Sequence, residues 1–166
     1  MRLDAALIFA ALALGCTATD GARPADSVTT TTLTTTTPAS PRADVVAARA
    51  SGDDGDLTVY VTVRSDETGC DQYTDWWEVV SPQGALIARR VLGHSHPDDN
   101  PFERSEAGVA VTRATDIVIR AHMSPGGYVG DALAGSFDGG FATAELPQRW
   151  ADALQREEPL PDGCLF

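Results

Sequence analysis

Between Leu57 and Arg64 apolar and polar residues alternate without a break. No other feature constrains the fold as strongly. Leu57, Val59, Val61 and Val63 fall on one side of an extended chain, and Thr58, Tyr60, Thr62 and Arg64 on the other. A helix would scatter these four apolar side chains, whereas a period-two strand gathers them onto one face. The segment predicts a half-buried β-strand, which needs partner strands and a second layer over its apolar face. Further candidates recur at intervals of roughly ten residues. Val45, Ala47 and Arg49 alternate ahead of the turn Asp53-Asp54-Gly55-Asp56. Tyr73 to Val80 leads through Ser81-Pro82-Gln83-Gly84 into Ala85 to His94. Val109 to Thr112 and Asp116 to His122 follow, the latter with Ile117, Ile119 and Ala121 on its apolar face, then Tyr128 to Phe137, interrupted by glycines. The expected fold is an all-β antiparallel β-sandwich over residues 44–166, immunoglobulin-like by strand count alone. Pro147 to Arg156 predicts one short C-terminal helix: Pro147 suits its first turn, Trp150 and Leu154 share a face, and Pro159 and Pro161 end it.

Residues 5–15 are almost all Ala, Leu, Ile, Phe and Gly, the length of a signal-peptide apolar region. Spanning a bilayer takes roughly 20 such residues. The stretch closes on Leu12-Ala13-Leu14-Gly15-Cys16, which resembles the lipobox of bacterial lipoproteins. The resemblance implies cleavage before Cys16, lipid on Cys16, and an extracytoplasmic protein held to a membrane by acyl chains. Each buried methylene of such a chain contributes about 0.8 kcal/mol. Residues 1–15 are then the signal peptide and 16–43 a tether. The tether holds Thr29 to Thr32, Thr34 to Thr37, Pro24, Pro38 and Pro41, with almost nothing apolar to bury. Extended at about 3.1 Å per residue it would reach roughly 80 Å, and it could accept O-linked sugars.

Acidic residues outnumber basic ones 24 to 12, giving a net charge of −12, and every basic residue is Arg. That balance excludes nucleic acid and anionic lipid headgroups as expected partners, because both are bound through Lys and Arg. With Cys16 assigned to lipid, Cys70 and Cys164 remain, and an exported domain with two cysteines predicts one disulfide between them.

Three constellations could carry chemistry. His94 and His96 are two residues apart, so a strand would present both on one face. With His122 they could hold Cu or Zn. Met123 would point the other way, into the core. Hydrogen bonding of the histidines within the loop ended by Pro97 is the alternative. Asp53, Asp54 and Asp56, or Asp98, Asp99 and Asn100, offer oxygen ligands for Ca, a weaker expectation because Asp and Gly also build turns. Trp76 and Trp77 are adjacent, so a strand sends one into the core. The other, with Tyr60 or Tyr73, could form an exposed aromatic platform for a glycan or an envelope protein, or be covered by the C-terminal helix with Trp150. Ser95 lies between two histidines but would face away from both, and Ser136 lacks a complete nucleophile elbow.

The segments Cys70-Asp71-Gln72-Tyr73-Thr74-Asp75-Trp76-Trp77-Glu78-Val79, His94-Ser95-His96-Pro97 with Pro101-Phe102, Arg120-Ala121-His122-Met123 and Pro159-Leu160-Pro161-Asp162-Gly163-Cys164 resemble an uncharacterised group of exported bacterial proteins. The resemblance implies one coherent domain and brings no activity with it. The expected role is a lipid-anchored binding or interaction module at the cell envelope, with a His-based metal-binding lipoprotein as the alternative and an envelope hydrolase as a third class.

Overall fold

A computed structural model describes residues 40–165 of the chain. The expected signal peptide, Cys16 and most of the expected tether lie outside the described residues. Eight strands follow one another: β1 (Ala43–Asp53), β2 (Asp56–Ser65), β3 (Tyr73–Val80), β4 (Leu86–Val91), β5 (Phe102–Val109), β6 (Ile117–Ser124), β7 (Ala132–Ser136) and β8 (Gly140–Ala144). They pair antiparallel into a three-stranded sheet, β1-β2-β5, and a five-stranded sheet, β4-β3-β6-β7-β8. The chain crosses between sheets after β2, β4 and β5, which is the Greek-key order of an immunoglobulin-like sandwich with one added edge strand. Among the described residues no helix is long and apolar enough to cross a membrane.

The alternating segment becomes β2, the middle strand of its sheet. Leu57, Val59, Val61 and Val63 are fully buried, each contributing roughly 1.5–3 kcal/mol by leaving water. They pack against Trp77 and Val79 of β3 and Ile117, Ile119, Ala121 and Met123 of β6. In the β1–β2 hairpin Asp53 pairs with Asp56 and Gly55 takes φ 89°. Asp54 accepts the backbone N–H of Arg113 at 2.9 Å, so this acidic turn is a structural corner.

Several elements differ from expectation. A bulge between Val45 and Ala47 slips the register of β1. Ala48 and Ala50 turn toward the core in place of Ala47 and Arg49, because one inserted residue reverses every later side chain. The strand expected at Val109 to Thr112 ends at Val109 and runs back to Phe102. Between those two buried ends β5 carries Glu103, Arg104 and Glu106, charges that suit an edge strand. The last expected strand is two, β7 and β8, joined by a hairpin.

The expected helix over 147–156 is a turn followed by a short 3-10 helix, Asp152–Arg156. Arg149 and Ala151 have φ 63° and 49°, outside the helical region. The Trp150 carbonyl accepts a hydrogen bond from Arg120, and the Ala151 carbonyl accepts both Arg120 and, at 3.1 Å, the Leu154 N–H of the 3-10 turn. At the open side of the sandwich, Ala43 and Val45 donate to the carbonyls of Val129 and Asp131. Gly130 lies between these two acceptors, where a Cβ would stand 2.1 Å from the Ala43 carbonyl oxygen. Only glycine fits that approach.

Candidate functional site

All eight residues of β3 are buried, so both faces of the five-stranded sheet are covered at this strand. The facing sheet covers one, and residues 150–159 lie over the other. Register builds a charged cluster beneath this cover. Glu78 of β3 is paired directly with Arg89 of β4 and Arg120 of β6. Glu78 and Arg89 side chains have no exposure and Arg120 has 4%. Glu78 Oε2 accepts Arg89 Nε–H at 2.9 Å and Nη2–H at 2.5 Å. Its Oε1 accepts Arg120 Nε–H at 2.8 Å. One carboxylate faces two guanidiniums, and the remaining donors turn outward. Arg89 bonds the carbonyls of Leu154 (2.7 Å), Pro159 (3.0 Å) and Glu157. Arg120 bonds those of Trp150 (2.7 Å) and Ala151 (2.9 Å). Five backbone oxygens thus bind the C-terminal segment to the sheet as a strap. Its end is fixed by the disulfide Cys70–Cys164, Cα atoms 5.5 Å apart, as the cysteine count predicts, and by Leu165 N–H on the Gly93 carbonyl at 2.5 Å.

This cluster was not among the candidates. Its signal was present in the sequence: Glu78, Arg89 and Arg120 interrupt apolar strand segments at positions that a buried face would need to pair.

The aromatic residues do not form an exposed platform. Trp77 lies in the core. Trp76 is 3% exposed, beneath the Arg89 guanidinium at 4.6 Å and stacked on His122. Tyr73 is buried, and Tyr60 carries the Arg49 guanidinium 3.7 Å over its ring. Of the two alternatives, cover by the C-terminal residues is the one found, although those residues form a strap and not the expected helix. Tyr128 packs edge-on to Trp76 and His122, with the Arg120 guanidinium 3.4 Å from its ring centre. Burial first, and the charge of Glu78 second, push the Tyr128 phenol well above its ordinary value. Burial, then Asp75 and Glu67, raises Tyr73.

The three histidines do not converge. His122 is in β6, its ring 3.8 Å from Trp76 and nearly parallel to it, with Nδ1 2.6 Å from Asp75 Oδ1. Met123 is fully buried in the core. His94 and His96 lie in the loop after β4, which ends as a strand at Val91, and their ring centres are 4.4 Å apart. As the side chains stand, no three His, Cys, Asp or Glu residues surround a common point among the described residues.

His96 is the anomaly of this loop. Its side chain is 3% exposed and stacks on Phe102, ring centres 4.1 Å apart. Both ring nitrogens are buried without a hydrogen-bond partner. Leaving a buried polar group unsatisfied costs about 1–3 kcal/mol. Glu67, 1% exposed, faces it with Oε2 3.7 Å from Nδ1. Backbone N–H groups of Thr74 (3.1 Å) and His96 and the hydroxyl of Ser95 (2.9 Å) hold the Glu67 carboxylate. Burial, the largest influence, lowers the tendency of His96 to take up a proton.

The second acidic turn is also committed to structure. The Asn100 side-chain oxygen accepts Ser65 N–H at 3.0 Å and its amide donates to the Ser65 carbonyl, while Asp99 lies 3.7 Å from Arg104. A cleft of about 190 Å³ beside the strap is lined by Arg120, Tyr128, Pro147, Gln148 and Trp150. The buried carboxylates Glu67, Asp75 and Glu78 each have partners in hand, and none is paired with another across a cleft.

Fold and disulfide together define an immunoglobulin-like β-sandwich closed by a cross-linked C-terminal strap. The chain is similar to a protein of Halomicrobium mukohataei that bears the name "Putative lipoprotein", with 37% identity over 84 residues. The match covers 51% of this chain and 41% of that relative, so it spans less than half of the relative's length. No family model matches the chain, and no solved structure matches it.

Proposed function

We propose that the chain is a lipoprotein of the cell envelope, anchored by lipid on Cys16, whose sandwich serves as a binding module beyond a Thr/Pro-rich tether. The carrying observation is the cysteine arithmetic. Of three cysteines, Cys70 and Cys164 are joined to each other. Cys16 is left, immediately after an apolar run of signal-peptide length. A disulfide also fits an oxidising compartment, and the similar lipoprotein supports the same address. Binding is favoured over catalysis because the most deeply buried carboxylate and the Asp75–His122 pair are spent on protein partners. Glu78 serves Arg89 and Arg120, and Asp75 serves His122.

The test compares the full chain with Cys16→Ala in its native type of host. The original protein is expected in the membrane fraction, with an N-terminal peptide beginning at acylated Cys16 in mass spectrometry. Cys16→Ala should lose the acyl mass and leave the membrane on washing. Equal membrane retention of the two proteins, or an unmodified Cys16 in the mature chain, would overturn the anchor.

A further inference from the structure

We propose that Glu67, His94 and His96 form a binding site for a divalent transition metal of the Zn²⁺ or Cu²⁺ class, at the end of the sandwich where the β2–β3 and β4–β5 loops meet. The site is independent of the anchor at Cys16. Its starting point is His96, whose two ring nitrogens are buried and unpartnered. Packing on Phe102 gives no reason for an imidazole, since an apolar ring would fill that place without two unsatisfied nitrogens. A lone pair of Nδ1 directed at a cation gives one of the two nitrogens a partner.

The neighbouring groups have the right chemistry. Glu67 Oε2 is 3.7 Å from His96 Nδ1, too long for a hydrogen bond. Two ligand atoms bound at 2.0–2.1 Å to one tetrahedral ion stand about 3.3 Å apart, so a shift of a few tenths of an ångström admits a metal between them. The carboxylate is already oriented by two backbone N–H groups and Ser95, the outer-shell support that metal-binding carboxylates use. His94 supplies the third ligand. Its ring is 4.4 Å from that of His96 and its residue is exposed, so it can turn without disturbing the core. It also borders a small pocket formed with Gly69, Cys70, Ser95, Pro97 and Leu165. Two imidazoles and a carboxylate leave a fourth position to water or a partner's side chain. His122 is outside the site, held by Asp75 and Trp76.

The experiment is a calorimetric titration of the full chain in detergent with Zn²⁺, then with Cu²⁺, at neutral pH. His94→Ala, His96→Phe, Glu67→Gln and His122→Ala are measured in parallel. His96→Phe keeps the stack on Phe102 and removes only the nitrogens, and circular dichroism without metal checks that each variant is folded. The expected result is one ion per chain at micromolar or tighter affinity. His94→Ala and His96→Phe should each weaken binding by more than the roughly 10–100-fold typical of losing an outer-shell partner, and His122→Ala should leave it unchanged. No binding, or binding indifferent to both His94→Ala and His96→Phe, overturns the proposal. Loss of binding in folded His122→Ala overturns it as well, because the metal would then use a different ligand set.

Discussion

Glu78→Gln isolates the charge at the centre of the buried cluster while keeping nearly the same volume. In the folded chain Glu78 has no exposure and meets two guanidiniums of 0% and 4% exposure. The substitution turns a site of net charge +1 into one of +2 and places an amide donor against groups that only donate. Three hydrogen bonds to the carboxylate, at 2.5 to 2.9 Å, lose their ionic acceptor. Each charge-assisted bond is worth about 1.5–3 kcal/mol, but their sum overstates the effect because burying the three ions already cost solvation. Removing one partner of a buried ion pair costs about 3–5 kcal/mol, and that is the figure expected here. For a unit of this size 1 kcal/mol moves Tm by roughly 3–5 °C, so Glu78→Gln should lower Tm by about 10–20 °C. Thermal and urea unfolding followed by circular dichroism measure it, with Glu103→Gln as the control. Glu103 pairs with Arg49 at 2.6 Å, yet their side chains are 40% and 58% exposed. Such an exposed pair contributes little and weakens with salt. If Glu78→Gln costs no more than Glu103→Gln, the low-dielectric pairing argument is wrong and the cluster is better hydrated than its burial indicates.

Opening the disulfide should release the strap. The bridge closes a separation of 94 residues, worth up to about 4.7 kcal/mol in the chain-entropy model, so Cys164→Ser is expected to lower the urea midpoint and to speed tryptic cleavage at Arg149 and Arg156. An unchanged midpoint and cleavage rate would show that the five carbonyl contacts hold the strap alone. At high pH the raised Tyr73 and Tyr128 phenols set the sign of the stability change. The folded state keeps protons that the unfolded chain releases near pH 10, so their contribution is intact below that pH and is lost as pH rises toward the folded values. Phenolate absorbance should therefore show two of the three tyrosines ionising late, together with unfolding, and one fewer late group in Tyr128→Phe. Complete ionisation near pH 10 with the fold intact would contradict their burial.

What the sequence discloses depends on which chemical groups make each contact. The core face of β2 is legible because side chains alone create it: Leu57, Val59, Val61 and Val63 announce their period. Strands β5 and β8 are not, since an edge strand buries little and needs no alternation; β5 keeps only Phe102 and Val109 as buried ends. The strap is hidden for a different reason. Arg89 and Arg120 recognise it through the carbonyls of residues 150, 151, 154, 157 and 159, and every residue type offers the same carbonyl. The sequence suggests a helix here that could cover the second tryptophan, but not that main-chain carbonyls hold it, and the adjacent tryptophans point to two interiors. The same distinction bears on the histidines. Strand spacing pairs His94 with His96, and His122 is the remaining histidine, but β4 ends at Val91 and the pair belongs to a loop. Loop neighbours are set by which ends of the sandwich meet, not by period, and that geometry delivers Glu67, from the loop between β2 and β3. The strap and the facing sheet cover both faces of β3, and the imidazole left without a protein partner, His96, sits in the loops at this end.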